Sequence, residues 1–181
     1  MLTTTPNKYK SSSVEKDVLV KTLLPEKRRK LFLQIPSLTG TYSQSSLTDT
    51  VSLTRAELYL HSGYFKYLGL FDSIKPYSVN EASSVRNEIE NCQSILGALN
   101  LNTIPLISLF LSNHSRKLTR NELEKQSGLT KAEVENLVYT LTENNIVDHN
   151  AGGYEINKQN EKARKLSSLE QELFFSLLDS A

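Results

Sequence analysis

Residues 118–156 are LTRNELEKQSGLTKAEVENLVYTLTENNIVDHNAGGYEI, and this stretch decides the fold. Thr119 and Glu122 have the spacing of a Ser/Thr-x-x-Glu capping box, which predicts the start of a first helix. Gly128 stands where that helix must end, because helix C-termini favour a residue that can adopt positive φ. Thr130 and Glu133 repeat the capping box, so a second helix is predicted after only a short turn.

The apolar residues around these capping boxes complete the pattern. Those of the second predicted helix recur at spacings of three and four, which gives the helix one buried face: Val134, Leu137, Val138 and Leu141. After it, two β-type runs at 146–147 and 154–156 flank strong turn residues at 150–153, which predicts a hairpin. Upstream, 104–111 is an apolar helical segment in which Pro105 is tolerated in the first turn. The predicted order is therefore helix, helix, turn, helix, ribbon.

This order resembles the winged helix-turn-helix family over about a third of the chain. The matching residues are Glu122, Leu123, Ser127, Gly128, Leu129, Thr130, Val134, Leu137 and Leu141, followed by the ribbon at 146–156. One position departs from the family, whose members usually carry a small residue four positions before the turn glycine, where this chain has Glu124. The resemblance implies a mainly α protein in which 103–158 form a winged helix-turn-helix module.

Length and composition fit one sizeable domain, or a small domain with extensions. No run of about 18 apolar residues predicts a membrane span, and the first residues lack the apolar stretch of a secretory signal. The lone Cys92 excludes an intramolecular disulfide and a cysteine-based zinc site, and we expect it to be buried as a small apolar residue. These features predict an intracellular protein, in the cytoplasm or with the nucleoid or nucleus.

Outside the module, three regions are predicted. Residues 1–13 read as a disordered arm, and 14–102 as a mostly helical N-terminal region, with a β-hairpin as the alternative to a helix pair over 14–35. Within this region we expect a loop at 37–50, a linker at 76–80 and helices over about 54–71 and 81–101. An aromatic concentration at 59–71 is interpreted as core, with base stacking or an effector pocket as alternatives.

Residues 159–181 form the C-terminal helix, which carries an apolar stripe: Ala163, Leu166, Leu169, Leu173, Phe174, Leu177 and Leu178. The stripe needs a partner, which is either the upstream helix of the same chain or the same helix of a second subunit. Because closed two-fold contacts are the commonest form of self-association, we expect a homodimer through this helix.

No catalytic, cofactor or metal site is predicted. The histidines, His61, His114 and His149, fall in different elements without a recognisable nucleophile or partner motif. No glycine-rich phosphate loop precedes a helix, and the carboxylates lack the spacing of a metal loop. The enzyme hypothesis therefore has little support from the sequence.

The predicted partner is double-stranded DNA. The family resemblance implies base and backbone contacts from the second motif helix and from the front of the first motif helix. These residues are Arg116, Lys117, Arg120, Thr130, Lys131, Asn136, Tyr139 and Thr140. A basic cluster at a predicted turn offers further phosphate contacts: Lys27, Arg28, Arg29 and Lys30. Nine basic against five acidic residues give 1–60 a net charge of +4, within a chain of net +1.

Two functions remain open at this stage. Glu133, Glu135 and Glu143 outnumber Lys131 on the second motif helix, and a negative recognition helix is repelled by phosphates. The first hypothesis is a dimeric transcriptional regulator that binds DNA. The alternative is a winged-helix subunit that binds another protein within a larger assembly and does not read DNA directly.

Overall fold

The structure is a computed structural model that describes residues 18–179, and its fold is mainly α with small antiparallel sheets. Its longer helices are α1 (Val18–Leu23), α2 (Glu26–Gln34), α3 (Gln44–Val51), α4 (Arg55–Tyr67), α5 (Ser84–Ala98), α6 (Ile104–Ser112), α7 (Arg120–Ser127), α8 (Lys131–Glu143) and α9 (Glu161–Asp179). The strands are β1 (Thr41–Tyr42), β2 (Phe71–Ile74), β3 (Tyr77–Val79), β4 (Val147–Asn150) and β5 (Gly153–Ile156). Short 3-10 turns at Ile35–Ser37 and Leu101–Thr103 complete the chain trace.

The first apolar runs form a helix pair, so the β-hairpin alternative for this segment is wrong. Pro25 stands at the N-cap of α2, and the basic residues predicted as a turn lie within that helix. The buried residues of α1 recur at helical spacing, as Val18, Leu19, Thr22 and Leu23. Burial of a stripe at these spacings favours helices over strands despite the β-branched residues. The predicted arm at 1–13 lies outside the described residues.

The prediction of a loop over 37–50 is wrong in detail. The Ser/Thr-rich stretch expected to be a loop contains α3, whose N-cap Ser43 accepts a hydrogen bond from the Ser46 backbone at 3.2 Å. Leu47 and Val51, four residues apart, bury the inner face of that helix. Burial of this pair offsets the low helix propensity of the serines and threonines around it.

The helix predicted over 54–71 ends earlier than expected. It begins with a capping box, in which Thr54 and Glu57 exchange hydrogen bonds at 2.8 and 3.3 Å. Gly63 is accommodated inside α4, whereas Gly69 has φ +66° and ends the helical segment. The chain then pairs β2 with β3, while β1 pairs with the other edge of β3. The predicted linker at 76–80 is therefore largely a strand.

The core joins the N-terminal region and the later helices in one hydrophobic cluster. Its centre is the packing of α9 against α5, supported by α1 and α6. The buried stripe of α9, which consists of Ala163, Leu166, Leu169 and Leu173, is covered by its own chain. Phe175 and Leu178 remain 55% and 52% exposed at the far end of the helix.

Two smaller features complete the architecture. Cys92 is buried, as expected, and burial raises the pKa of its thiol to about 12. In the part of the chain that the structure describes, no helix combines the length and apolarity needed to cross a membrane.

Candidate functional site

The two helices α7 and α8 are set by the local signals that the sequence predicts. Thr119 and Glu122 form one capping box, with backbone-to-side-chain bonds of 2.8 and 3.3 Å. Thr130 and Glu133 form the second, with bonds of 2.8 and 3.4 Å. Between them, Gly128 adopts φ +72° at the C-cap of α7. Both helix starts and the tight turn between them are therefore confirmed.

The hairpin after α8 is present and is attached to the chain before α7. β4 and β5 pair from Val147 opposite Ile156 to Asn150 opposite Gly153. Leu118 forms a single β-bridge with Tyr154, in which the two backbones exchange hydrogen bonds of 2.8 and 2.9 Å. These bonds fix the ribbon beside the start of α7, so the hairpin and the two helices form one structural unit, here called the C-terminal module (residues 104–156).

One face of α8 is buried and the other is open to solvent. Val134, Leu137, Val138 and Leu141 are buried, as the apolar spacing predicts. The opposite face brings together the five predicted contact residues of this segment, all exposed: Thr130, Lys131, Asn136, Tyr139 and Thr140. Tyr139 is 66% exposed, which is unusual for a large aromatic side chain. The polar side of α8 is therefore available to a partner.

Two of the three glutamates of α8 have hydrogen-bond or ion-pair partners within the module. Hydrogen bonds from the Thr130 hydroxyl and backbone lower the pKa of Glu133, which keeps this carboxylate ionised in its cap. Glu135 forms an ion pair with Arg120 of α7 at 2.6 Å. Glu143 has no ion-pair partner among the described residues. The negative charge of the helix is thus partly compensated from inside the molecule.

Two of the arginines predicted to contact phosphate are paired with carboxylates of the module instead. Arg120 is held by Glu135, and Arg116 lies 2.8 Å from a Glu122 oxygen. Backbone hydrogen bonding by Thr119 and then Arg116 lowers the pKa of Glu122 to about 2. Lys117 and Lys131 are exposed and make no ion pair within residues 18–179. Of the predicted cations in the module, these two lysines are the ones available to an external anion.

The residues predicted as a basic turn form the first half of a helix, and two of them contact other residues of the chain. Lys27 lies 3.6 Å from Glu57, while Arg28 covers the ring of Tyr64 at 4.1 Å and donates to the Lys21 carbonyl at 2.6 Å. Arg29 is half-buried and Lys30 exposed. The basic residues of α2 and those of the C-terminal module lie in different parts of the fold. The helix α2 packs on α1, α4 and α5, whereas α8 packs on α7, α6 and β4.

A buried histidine lies behind this basic helix. His61 is 6% exposed, and its Nδ1 has no hydrogen-bond partner in the described structure. Burial first, and the neighbouring charge of Arg28 second, lower the pKa of the imidazole. The neutral form of His61 is therefore the one that the fold accommodates.

Stability should consequently decrease as the pH falls below the ordinary histidine range. An unfolded chain gains a proton on His61 near pH 6.5, whereas the folded chain resists it, so the free energy of unfolding falls until the lowered pKa is passed. We expect His61→Gln to show a smaller loss of stability than the wild type between about pH 7.5 and 5.5, measured by urea denaturation. His149→Gln, at an exposed strand position, is the matched control. An equal pH dependence in the wild type and His61→Gln would contradict the assignment.

Two contacts of the site join segments that the sequence alone does not bring together, and the structure also shows the surroundings of Glu124 and of the aromatic segment. The pair between Arg120 and Glu135 joins different helices, and the bridge between Leu118 and Tyr154 joins segments far apart in sequence. Glu124, the departure from the family pattern, is half-buried, and its Oε1 has no hydrogen-bond partner among the described residues. The aromatic segment divides between core side chains such as Phe65 and exposed ones such as Tyr67.

Comparison with known proteins gives no relative for this chain. No protein-family model matches it, no curated protein is detectably similar in sequence, and no solved structure matches its fold. The chain's own residues are therefore the basis for its proposed function.

Proposed function

We propose that the C-terminal module is a winged helix-turn-helix that binds double-stranded DNA, with α8 as the recognition helix. One observation carries the proposal. The outer face of α8 presents Lys131, Asn136 and Tyr139 to solvent, while its apolar face is buried and two of its glutamates are held internally. A helix with this arrangement can enter the major groove, which admits one α-helix.

Each exposed side chain has a defined task in this proposal. Asn136 can donate to and accept from the N7 and N6 edge of adenine, the usual bidentate pairing of asparagine. Lys131, at the first position of α8, and Lys117, just before α7, contact phosphates that fix the register of the module. The hairpin tip at 151–152 lies on the neighbouring backbone, as wings do.

The limited number of available cations indicates that a single module binds weakly. Each phosphate contact contributes about 0.9 to the slope of log affinity against log salt, so two lysines give a shallow slope. Two copies would double the contacts and match a site with two half-sites. We therefore propose a homodimer, and place its contact at the exposed end of α9 around Phe175 and Leu178, since the buried part of the stripe from Ala163 to Leu173 is covered by the same chain.

The alternative function is supported by the same charge pattern. Residues 104–156 carry five basic and seven acidic side chains, so the module has a net charge of −2. An acidic module with a largely exposed Tyr139 also suits a protein partner, because tyrosine is enriched in protein interfaces. Binding to DNA at low salt separates the two functions.

The direct test is fluorescence anisotropy with labelled mixed-sequence duplex DNA over a range of salt concentrations. We expect binding at low salt that weakens as salt increases, because phosphate contacts displace bound counterions. Lys131→Ala should weaken binding about tenfold, the value of one charge-assisted contact, and reduce the salt slope by about 0.9. Lys66→Ala, which removes an exposed lysine of α4, should leave both unchanged. Failure to bind at low salt would favour the protein-interaction alternative.

Base recognition requires a second measurement. Asn136→Ala should leave affinity for mixed-sequence DNA unchanged, because mixed DNA is bound mainly through phosphates. Selection from a random duplex pool should instead show a lost adenine preference at one position per half-site. An unchanged selected sequence would show that Asn136 does not contact a base.

A further inference from the structure

A cleft runs along the outer side of α9, behind the hairpin. The polar residues of α9 that line it recur at helical spacing on one face: Arg164, Ser167, Ser168 and Gln171. Two adjoining cavities of about 260 and 250 Å³ form the cleft and share His114, Ser167 and Gln171 in their walls. Volumes of this size approach those of small-molecule sites.

One end of the cleft, here called the cationic end, is lined by Lys158, Arg164, His114 and the hydroxyls of Ser167 and Ser168. Neither Lys158 nor Arg164 forms an ion pair within the described part of the chain. Two cations beside two hydroxyls and an imidazole supply more donors than a carboxylate needs, and suit the three terminal oxygens of a phosphate.

The opposite end, here called the apolar end, is lined by Leu111 and Phe174, with Ser112 and Glu170 beside them. Glu170 is half-buried, and burial raises the pKa of its carboxyl group to about 8. At neutral pH this group is therefore mostly protonated and adds little negative charge that would repel an anion in the cleft. A flat apolar group can lie here against Phe174.

We propose that this cleft binds a small phosphomonoester, with the phosphate at the cationic end and an apolar body against Leu111 and Phe174. The walls come from α9, from the last turn of α6 with His114 just after it, and from the end of β5 with Lys158 just after it, so a bound ligand contacts three separate segments. No residue of α8 lines the cleft. Ligand binding in the cleft is therefore separate from DNA binding by α8, and it can be tested without DNA.

Phenyl phosphate is a suitable probe, and calorimetric titration of the full chain measures its binding. We expect saturable binding of phenyl phosphate, at least tenfold weaker binding of inorganic phosphate, and no binding of phenol, because both ends of the cleft contribute. Lys158→Ala and Arg164→Ala should each weaken phenyl phosphate binding at least tenfold. Lys162→Ala is the matched control, since this exposed α9 lysine lines a different cavity, and it should leave affinity unchanged.

Several outcomes would overturn the proposal. No saturable binding of phenyl phosphate, or an equal loss in Lys162→Ala and Arg164→Ala, would show that no specific site exists. Competitive displacement of phenyl phosphate by duplex DNA would instead assign the cationic end to a nucleic-acid surface. Unchanged circular dichroism melting of the three variants establishes that each loss arises at the site, and Lys158→Gln repeats the test should Lys158→Ala unfold.

Discussion

Gly153→Ala should destabilise the fold by about 3 kcal/mol, the combined scale of backbone strain and two weakened hydrogen bonds. Gly153 has φ +141°, a conformation that side-chain-bearing residues rarely adopt. A Cβ atom there would lie 2.6 Å from the Leu118 carbonyl oxygen and 3.0 Å from its carbon. Both are backbone atoms, so relief requires the bridge between Leu118 and Tyr154 to open. Urea denaturation, followed by circular dichroism, measures the loss.

Gly152→Ala is the matched control for that experiment. Gly152 also has positive φ, at +104°, but a Cβ atom added to it meets nothing within 4 Å. This variant should therefore cost only the conformational strain, about 1 kcal/mol. Equal destabilisation by the two variants would contradict the proposed close contact with Leu118 and reduce the effect to turn geometry alone.

The parts of the fold that could be predicted from the sequence are those with local causes. The capping boxes at Thr119 and Thr130 require residues only three positions apart, and the turn at Gly128 requires one residue with positive φ. The buried face of α8 follows from spacings of three and four within one helix. Each of these signals lies within a single turn or helix, so no knowledge of the tertiary fold was needed.

The predictions that were wrong depended on tertiary contacts. α3 lies in a Ser/Thr-rich stretch, and its stability comes from burying Leu47 and Val51 rather than from propensity. β2 and β3 are short, and they pair after the chain turns at Gly69, which has φ +66°. Neither segment has a hydrophobic repeat long enough to distinguish a helix or a strand from a loop.

The candidate site shows the same division. The exposed face of α8 could be predicted residue by residue, because a helix with one apolar face must present the opposite face to solvent. The pairing of Arg120 with Glu135 could not, since it depends on how α7 and α8 cross. The apolar stripe of α9 likewise needed a partner, but its spacing does not identify α5 as that partner.

Glu135→Lys should increase affinity for mixed-sequence DNA by about 100-fold, which corresponds to two additional charge-assisted contacts of about tenfold each. The substitution replaces a carboxylate with an ammonium group on the exposed face of α8, and it also releases Arg120 from its 2.6 Å ion pair. Two cations then become available for phosphates, so the salt slope should rise by about 1.8. Anisotropy titrations at several salt concentrations give both values.

Two further variants identify the cause of that increase. Glu143→Lys makes the same change of charge in the last turn of α8, where the described structure shows no ion pair to break, and it should produce a smaller gain. Arg120→Ala in the wild-type background should weaken binding, because it leaves the Glu135 carboxylate unpaired on the exposed face of α8. In the Glu135→Lys background, the same change should remove about half of the added salt slope. Equal gains from Glu135→Lys and Glu143→Lys would instead show that net charge alone governs binding, and that α8 is not positioned against the DNA as proposed.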